Sequence, residues 1–328
     1  MKFVYVLTSC EKDFFYEQFL LSLASFRLFN PLAEVVVLID EKTKRGLTGK
    51  RAGYEKLVSD IKVINVPDEF SQKEASRWIK TSIHHYVSSG FLYIDCDTVI
   101  AEKLENDFSP EIKIGAVLDT HVTLDKHHLK KSFQNEDKKV NFISSFKTNV
   151  RYNGGIIYCS GSEQSLDFFE TWHSYWLKSR EKGCSQDMPS LNQADFDKGG
   201  IITEIDGAWN CQIAFNGLPY LSTSKIIHYF AQSLLTQSSP FIPASDTVLE
   251  NIKATGDISK ETLELLSNPR AAFTPQSRIL SGNEILDLVN SNIFAKLLWL
   301  RAKTPKLFNT LNGISLLFKN AKHKKSTP

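Results

Sequence analysis

The sequence predicts an α/β fold, with a mostly parallel sheet flanked by helices and a helical, basic C-terminal extension. Three observations predict it. Over the first 120 residues, β-branched hydrophobic runs alternate with segments of helical spacing, the pattern of parallel sheets covered by helices on both faces. The run Phe91 to Ile100 (FLYIDCDTVI) is apolar enough for a buried central strand, yet it carries Asp95 and Asp97. The segment Val289 to Pro328 holds eight Lys or Arg residues and no Asp or Glu.

Taken in order, Phe3 to Thr8 and Glu34 to Asp40 read as strands, and Asp13 to Phe29 between them as a helix stopping at Asn30-Pro31. Ile61 to Val66 is a third strand, and Lys73 to Ser88 a helix closed by Gly90. The Asp95 strand and Lys113 to Asp119 follow. Lys126 to Lys147 is polar and Lys-rich, and reads as a mobile loop or short helices. Tyr152 to Cys159 returns as a strand. Glu163 to Arg180 is an amphipathic helix with Phe168, Phe169, Trp172 and Trp176 on its apolar side. Ile201 to Ile205 and Lys225 to Tyr229 are short strands, after which the pattern turns to loop and then helix. No internal repeat is visible.

At 328 residues the chain has room for one large α/β domain with an appendage, or for two domains. Met1 to Ser9 runs straight into a strand-like stretch with no cleavage region, and no segment reaches the ~18 apolar residues of a membrane span. The five cysteines, Cys10, Cys96, Cys159, Cys184 and Cys211, are odd in number and lack metal-binding spacing. Reduced thiols and a cytoplasmic setting are therefore expected. The net charge of +2 conceals an asymmetry: outside the tail, 31 basic side chains face 37 acidic ones, a balance of −6. A mildly acidic body excludes a nucleic-acid-binding role and assigns any anionic partner to the tail.

The Asp95-Cys96-Asp97 segment carries the first functional reading. Alternate residues on a strand share a face, so both carboxylates can point to one side. Two adjacent carboxylates repel and lose hydration, and a strand end tolerates them mainly with a cation between them. Mg²⁺ and Mn²⁺ prefer such oxygen ligands and often complete their shells with phosphate oxygens. A metal–diphosphate site at the carboxyl end of an α/β strand is the expectation.

Further features align with it. Arg77 and Lys80 share a helix face, where they can hold a diphosphate or simply face solvent. Asn153-Gly154-Gly155 opens a strand, and paired glycines either admit a ligand to the backbone or make a plain turn; the Asn153 amide can bond sugar hydroxyls. Asp187 precedes Pro189 at a helix start, as an N-cap or as a binder of sugar hydroxyls and stabiliser of positive charge at a reacting carbon. His228 ends a short apolar strand, as a core histidine or as the third ligand of an N/O metal site.

In order, YIDCD, YNGGIIY, DMPSLN, Trp209-Asn210 and IIHY resemble the retaining glycosyltransferases of the GT-A fold, in particular glycosyltransferase family 8, the glycogenin and lipopolysaccharide galactosyl- and glucosyltransferase group. The resemblance covers about residues 1 to 232. It implies a GT-A, Rossmann-like nucleotide-sugar and catalytic domain over residues 1–232, with 233–328 as a loop and helical region ending in the basic tail. It also implies a UDP-sugar donor and a divalent metal, Mn²⁺ or Mg²⁺, on Asp95, Asp97 and His228. Arg77 and Lys80 fall on the family's basic pair. Leu7, Thr8 and Ser9 fall on its nucleotide-binding first strand, with Phe15 or Tyr16 near the base, and Asn153 falls on its asparagine before a small-residue strand. Cys96, Gly154 and Gly155 lie within the donor-binding motifs, and Asp187, Asn153 and Gln186 are the catalytic candidates. Two positions depart from the family pattern. Met188 follows Asp187 where the family has glutamine, with Gln186 on the other side, and no glycine follows soon after His228.

The expected activity is metal-dependent transfer of a sugar to an acceptor hydroxyl, with retention, in glycan or lipooligosaccharide synthesis. The alternatives are a sugar-nucleotide nucleotidyltransferase, which needs a Gly-rich basic signature that the N-terminal TSCEKDFF lacks, and a non-catalytic nucleotide-sugar-binding homologue. In the tail, Ile293, Leu297, Leu298, Leu300, Leu307, Leu311, Ile314, Leu317 and Phe318 interleave with Lys296, Arg301, Lys303, Lys306, Lys319 and Lys322. A basic amphipathic helix of this kind either packs on the body or meets an anionic membrane surface, where a lipid-linked acceptor would lie.

Overall fold

The computed structural model describes residues 1–230, 241–274, 288 and 291–323. Alternation of strand and helix begins at once: β1 (Lys2–Leu7), α1 (Phe15–Phe29), β2 (Val35–Asp40), α2 (Glu41–Gly46), β3 (Asp60–Ile64) and α3 (Gln72–Thr81). Next come β4 (Phe91–Ile94), β5 (Thr98–Ile100) and β6 (Ile114–Leu118). Helices α4 (Lys130–Val140) and α5 (Ser144–Lys147) occupy the polar segment, where short helices were one of the two expectations. After them run β7 (Tyr152–Cys159), α6 (Glu163–Glu181), α7 (Met188–Asp197), β8 (Ile202–Glu204), β9 (Cys211–Gln212), α8 (Leu218–Leu221) and β10 (Ile226–His228).

Among the described residues the main sheet has seven strands in the order β3-β2-β1-β4-β7-β6-β8. All run parallel except β7, which is antiparallel to both β4 and β6. The mostly parallel α/β fold class holds. From β1 the chain moves outward through β2 and β3, then returns to place β4 on the other side of β1. The switch point therefore lies between β1 and β4, and their carboxyl ends border the crevice where such sheets take ligands.

Side chains alternate between two apolar layers. Phe3, Tyr5 and Leu7 face a core shared with Phe19, Leu23 and Phe26 of α1. Val4 and Val6 face the opposite core, with Ile79 of α3, Phe168, Phe169 and Trp172 of α6, and Leu191 of α7. Phe241, Leu249, Ile252 and Leu266 belong to the first core, so the helices Asp246–Thr255 and Lys260–Ser267 pack with β1 and α1.

Two local readings change. The run Phe91 to Ile100 is not one strand: β4 stops at Ile94, residues 95–97 bend, and β5 leaves for a second sheet ordered β5-β10-β9. Asp95 N donates to Gly155 O at 2.8 Å and Thr98 Oγ1 bonds Asp95 O at 2.8 Å, which fixes the bend. The helix expected over Lys73 to Ser88 ends at Thr81 and becomes a 3₁₀ turn at Ile83–His85. There the Thr81 and Ser82 hydroxyls bond the carbonyls of Arg77 and Trp78, competing with the helical ladder.

None of the five cysteines is disulfide-bonded. Among the described residues, no helix is long and apolar enough to cross a membrane. The tail forms helices Asn292–Lys303 and Pro305–His323. Ile293, Leu297, Trp299, Leu307, Leu311 and Ile314 are exposed, as are Lys296, Arg301, Lys303 and Lys306. The side chains of Leu317, Phe318, Lys319 and Lys322 lie outside the described residues.

Candidate active site

The second sheet explains how His228 reaches the aspartates. Antiparallel pairing of β10 with β5 sets His228 opposite Thr98, and His228 Nε2 comes to 3.3 Å from Asp97 Oδ1. One ligand atom from each of Asp95, Asp97 and His228 falls within 4.8 Å of the others. The two carboxylates share a face, as expected, although a bend rather than strand alternation brings them together. Burial works against a charge on His228, but Asp97 outweighs it and raises the imidazole above its ordinary pKa. The pocket therefore favours positive charge between these groups. Two carboxylates and one imidazole are a donor set that fits Mn²⁺, and suits it better than Mg²⁺, which prefers oxygen throughout.

Beside this cluster, Arg77 and Lys80 clasp Asp187. Arg77 Nε lies 3.0 Å from Asp187 Oδ1, and Lys80 Nζ lies 2.8 Å from Oδ2 and 3.5 Å from Asp95 Oδ1. Within the described residues, Arg77 Nε and Asp187 Oδ2 have no partner at good hydrogen-bond angles, so these are charge contacts. Burial pushes the Asp187 carboxyl up, and the two cations outweigh it and hold it well below the carboxylate range. Asp187 accordingly stays ionised despite its burial. Tyr93 donates its hydroxyl to Asp95 and lies beneath Lys80, whose Nζ is 4.9 Å from the ring centroid. Together these residues line the carboxyl end of β4.

The glycine pair serves this arrangement directly. A Cβ at Gly154 would sit 3.3 Å from Lys80 Nζ and 3.4 Å from Asp187 Oδ2. At Gly155 it would fall 2.5 Å from His228 Cε1, closer than real contacts allow. What approaches the backbone here is the protein's own site, and that reading of the glycines replaces a plain turn.

Asn153 is buried in β7 and well engaged. Its Oδ1 accepts from Gly155 N at 2.9 Å and Asn210 Nδ2 at 3.0 Å, while its Nδ2 donates to Asp119 Oδ1 at 2.9 Å. Asn210 Oδ1 in turn meets His228 Nδ1 at 3.0 Å. His127 Nε2 lies 3.1 Å from Asp119 Oδ2, and Leu129 N donates to His127 Nδ1, so His127 presents Nε2–H to the carboxylate. The chain His127–Asp119–Asn153–Asn210–His228 fixes the ring plane of His228, the kind of support that ligating imidazoles usually receive. Gln212 continues the network, accepting from Thr120 N and donating to Leu118 O.

At the β1 edge, Leu7 is core, and Thr8 and Ser9 are held by their neighbours. Thr8 Oγ1 donates to Gln72 O at 3.1 Å, and Ser9 Oγ donates to Asp13 Oδ1 at 2.7 Å. Of the two aromatics, Phe15 is exposed, whereas Tyr16 is buried against Tyr54 and under Arg51. Cys96 is half-buried, with its thiol near Val6 O at 3.4 Å. Gln186 is exposed, and the carbonyl of Asp187 accepts from Trp172 Nε1 at 3.1 Å. After His228, where a glycine was expected from the family pattern, Phe230 holds a φ of 49° and stacks flat on the imidazole, with centroids 3.9 Å apart. A bulky residue in that backbone region is strained, and such strain concentrates at functional sites.

Sequence reading gave no role to Asp119, His127, Asn210 or Gln212. Asp119 carried the one usable signal: like Asp95, it is an aspartate at the end of a core strand. Asn210 stood in the Trp209-Asn210 motif without a role, and nothing local marks His127 or Gln212.

No protein-family model matches the chain, and no curated protein does. Several solved structures are similar in backbone course. The mouse xyloside xylosyltransferase 1, apo form, is 13% identical with a TM-score of 0.45, over 70% of this chain and 97% of that one. A galactosyltransferase, LgtC, in complex with donor and acceptor sugar analogs, is 13% identical with a TM-score of 0.46, over 85% and 98%. The glycosyltransferase GlyE of Streptococcus pneumoniae TIGR4 is 14% identical with a TM-score of 0.48, over 85% and 66%.

Proposed function

We propose that this chain is a metal-dependent glycosyltransferase, moving a sugar from a UDP-sugar to an acceptor hydroxyl with retention of configuration. The observation that carries the reading is the convergence of Asp95, Asp97 and His228 at the carboxyl end of β4, beside the switch point and next to the Arg77/Lys80 pair. In the reaction, the bond from the anomeric carbon to the diphosphate breaks and its electron pair leaves on the diphosphate. The acceptor oxygen forms the new bond on the face that the diphosphate leaves, and its proton passes to the departing diphosphate oxygen.

Asp95, Asp97 and His228 would hold Mn²⁺ or Mg²⁺, and the chemistry such an ion supplies when bound is neutralisation of charge gathering on the diphosphate. Lys80 and Arg77 act in the same sense. With Asp187 between them they retain a net positive charge, and a fixed, poorly hydrated cation stabilises a developing anion without reorganising. Asp187, held ionised, accepts from sugar hydroxyls or faces the positive charge developing at the anomeric carbon. Asn153 acts by orienting His228 through Asn210. Gln186 is the amide available beside Asp187, where Met188 offers none. Thr8, Ser9 and the exposed Phe15 form the nucleotide side of the crevice.

A donor screen tests this reading. Purified protein with Mn²⁺ is expected to release nucleotide from one UDP-sugar among a panel of UDP-, GDP- and CMP-sugars, and EDTA is expected to stop it. No turnover together with no Mn²⁺-dependent nucleotide binding would overturn the assignment.

The tail supplies the second part of the proposal, a peripheral location at the cytoplasmic face of an anionic membrane with a glycan or lipid-linked acceptor. Exposed Ile293, Leu297, Trp299, Leu307 and Leu311 beside Lys296, Arg301, Lys303 and Lys306 combine apolar insertion with attraction to anionic headgroups, at about 1 kcal/mol per basic side chain. Removing residues from Ile293 onward is expected to abolish co-sedimentation with phosphatidylglycerol-containing vesicles. Unchanged co-sedimentation would remove the tail from the proposal.

A further inference from the structure

A second cluster of metal-ligating side chains lies away from the crevice, where the 3₁₀ turn after α3 meets α6. His84 and His85 are adjacent in that turn, with ring centroids 4.0 Å apart. Both Nε2 atoms reach the same oxygen, Glu170 Oε2, at 2.9 Å each. The three ligand atoms all fall within 4.8 Å of one another.

We infer that His84, His85 and Glu170 form a binding site for a transition-metal dication, Zn²⁺ above all. Two imidazole nitrogens and one carboxylate oxygen suit zinc, copper or nickel, whereas magnesium and calcium prefer all-oxygen shells. A His₂Glu set is one of the three-ligand combinations that zinc accepts, with a fourth position left to water. The spacing is nearly right as it stands. Bonds of about 2.0–2.1 Å in a tetrahedron place neighbouring ligand atoms about 3.3 Å apart, so the two 2.9 Å contacts need to open only slightly.

Without metal, the contacts fit two Nε2–H groups sharing one acceptor, and a cation would displace both protons from Nε2, with each neutral ring then carrying its proton on Nδ1. Among the described residues, His84 Nδ1 is buried with no hydrogen-bond partner. Zinc on Nε2 would leave the ring proton on Nδ1, so this buried atom would change from an unpaired acceptor to an unpaired donor and stay one unsatisfied group in either state. His84 is also held in place, its ring packed against Phe169 at 5.9 Å, while His85 and Glu170 are exposed and open to an incoming ion.

The cluster joins two elements that meet the proposed active site, since α3 carries Arg77 and Lys80 and α6 packs beside Asp187 through Trp172. Thr81 Oγ1 and His173 Nδ1 already link them at 2.7 Å. A metal here would add a further tie between this end of α3 and α6, and would stabilise the fold by mass action.

The test uses untagged, chelator-stripped protein carrying Asp97→Asn, which removes the other cluster from the titration. Calorimetric titration with ZnCl₂ is expected to show one equivalent bound, undisturbed by excess Mg²⁺, with a Tm that rises as zinc is added. Adding His85→Ala, an exposed position, is expected to leave the zinc-free Tm unchanged and to weaken zinc binding by at least about tenfold, since even changes outside the ligand shell cost about 10–100-fold. Glu170→Gln should do the same. Absence of zinc binding in the Asp97→Asn protein, or zinc affinity indifferent to His85→Ala, would overturn the assignment. Neither result depends on sugar transfer, so the two proposals fail separately.

Discussion

Asp97→Asn is expected to lower sugar-nucleotide turnover by about 10²–10³-fold or more, the scale seen when one electrostatic contributor to a transition state is removed. The substitution keeps the shape of the side chain and removes its charge. Asp97 is one of two carboxylates facing His228, and His228 Nε2 lies 3.3 Å from its Oδ1. Mn²⁺ affinity should fall in parallel. In chelator the variant should melt near the parent's temperature, because it loses the contact with His228 and is relieved of the repulsion from Asp95. The measurements are Mn²⁺ titration, release of free nucleotide, and circular dichroism with and without EDTA. Undiminished metal-dependent turnover in Asp97→Asn would sink the assignment of this cluster.

Asp187→Asn should cost both stability and activity. Its carboxylate is buried and pairs with Arg77 and with Lys80, which is itself buried. Removing one member of such a group leaves uncompensated charge in the interior, a loss of about 3–5 kcal/mol. The pH dependence follows from the lowered pKa of Asp187. A carboxyl depressed in the folded state contributes stability that is fully present above the ordinary unfolded value of about 3.9, and that is lost as pH falls toward the folded value. The gap between parent and variant in urea denaturation should therefore be widest at neutral pH and narrow below about pH 4. Adding Lys80→Met, which takes away one orphaned cation, should restore part of the stability and none of the activity. Full activity in Asp187→Asn at a temperature where it is folded would exclude the residue from the chemistry.

The two variants probe features that differ in how readable they were. Asp95, Asp97 and His228 stand out because polar residues end apolar strands, and a core strand gains nothing from ending in a carboxylate. Their convergence was legible as a composition of three strand ends, although the reason given by strand alternation was wrong in detail: the chain bends after Ile94, and β5 pairs with β10 in a separate sheet. Asp187 was legible only as a choice between an N-cap and a site residue. Its side chain caps nothing and instead pairs with two cations of α3. Helix spacing put Arg77 and Lys80 on one face, but what that face meets depends on packing between segments more than a hundred residues apart.

The sequence by itself determined the layer architecture and the identity of the acidic strand ends. Both follow from local hydrophobic periodicity, which needs no knowledge of distant partners. Tertiary structure decided the rest. The path from His127 through Asp119, Asn153 and Asn210 to His228 joins five segments whose side chains meet only once the sheet has closed. The double glycine is a case of both. Its composition announced a close approach, and only the fold revealed that Lys80, Asp187 and His228 fill the space a Cβ would need. Likewise His84 and His85 read as an unremarkable pair until α6 brings Glu170 to both rings. Local pattern fixes which residues face inward, whereas chemistry between them arises from long-range contacts that one-dimensional periodicity does not encode.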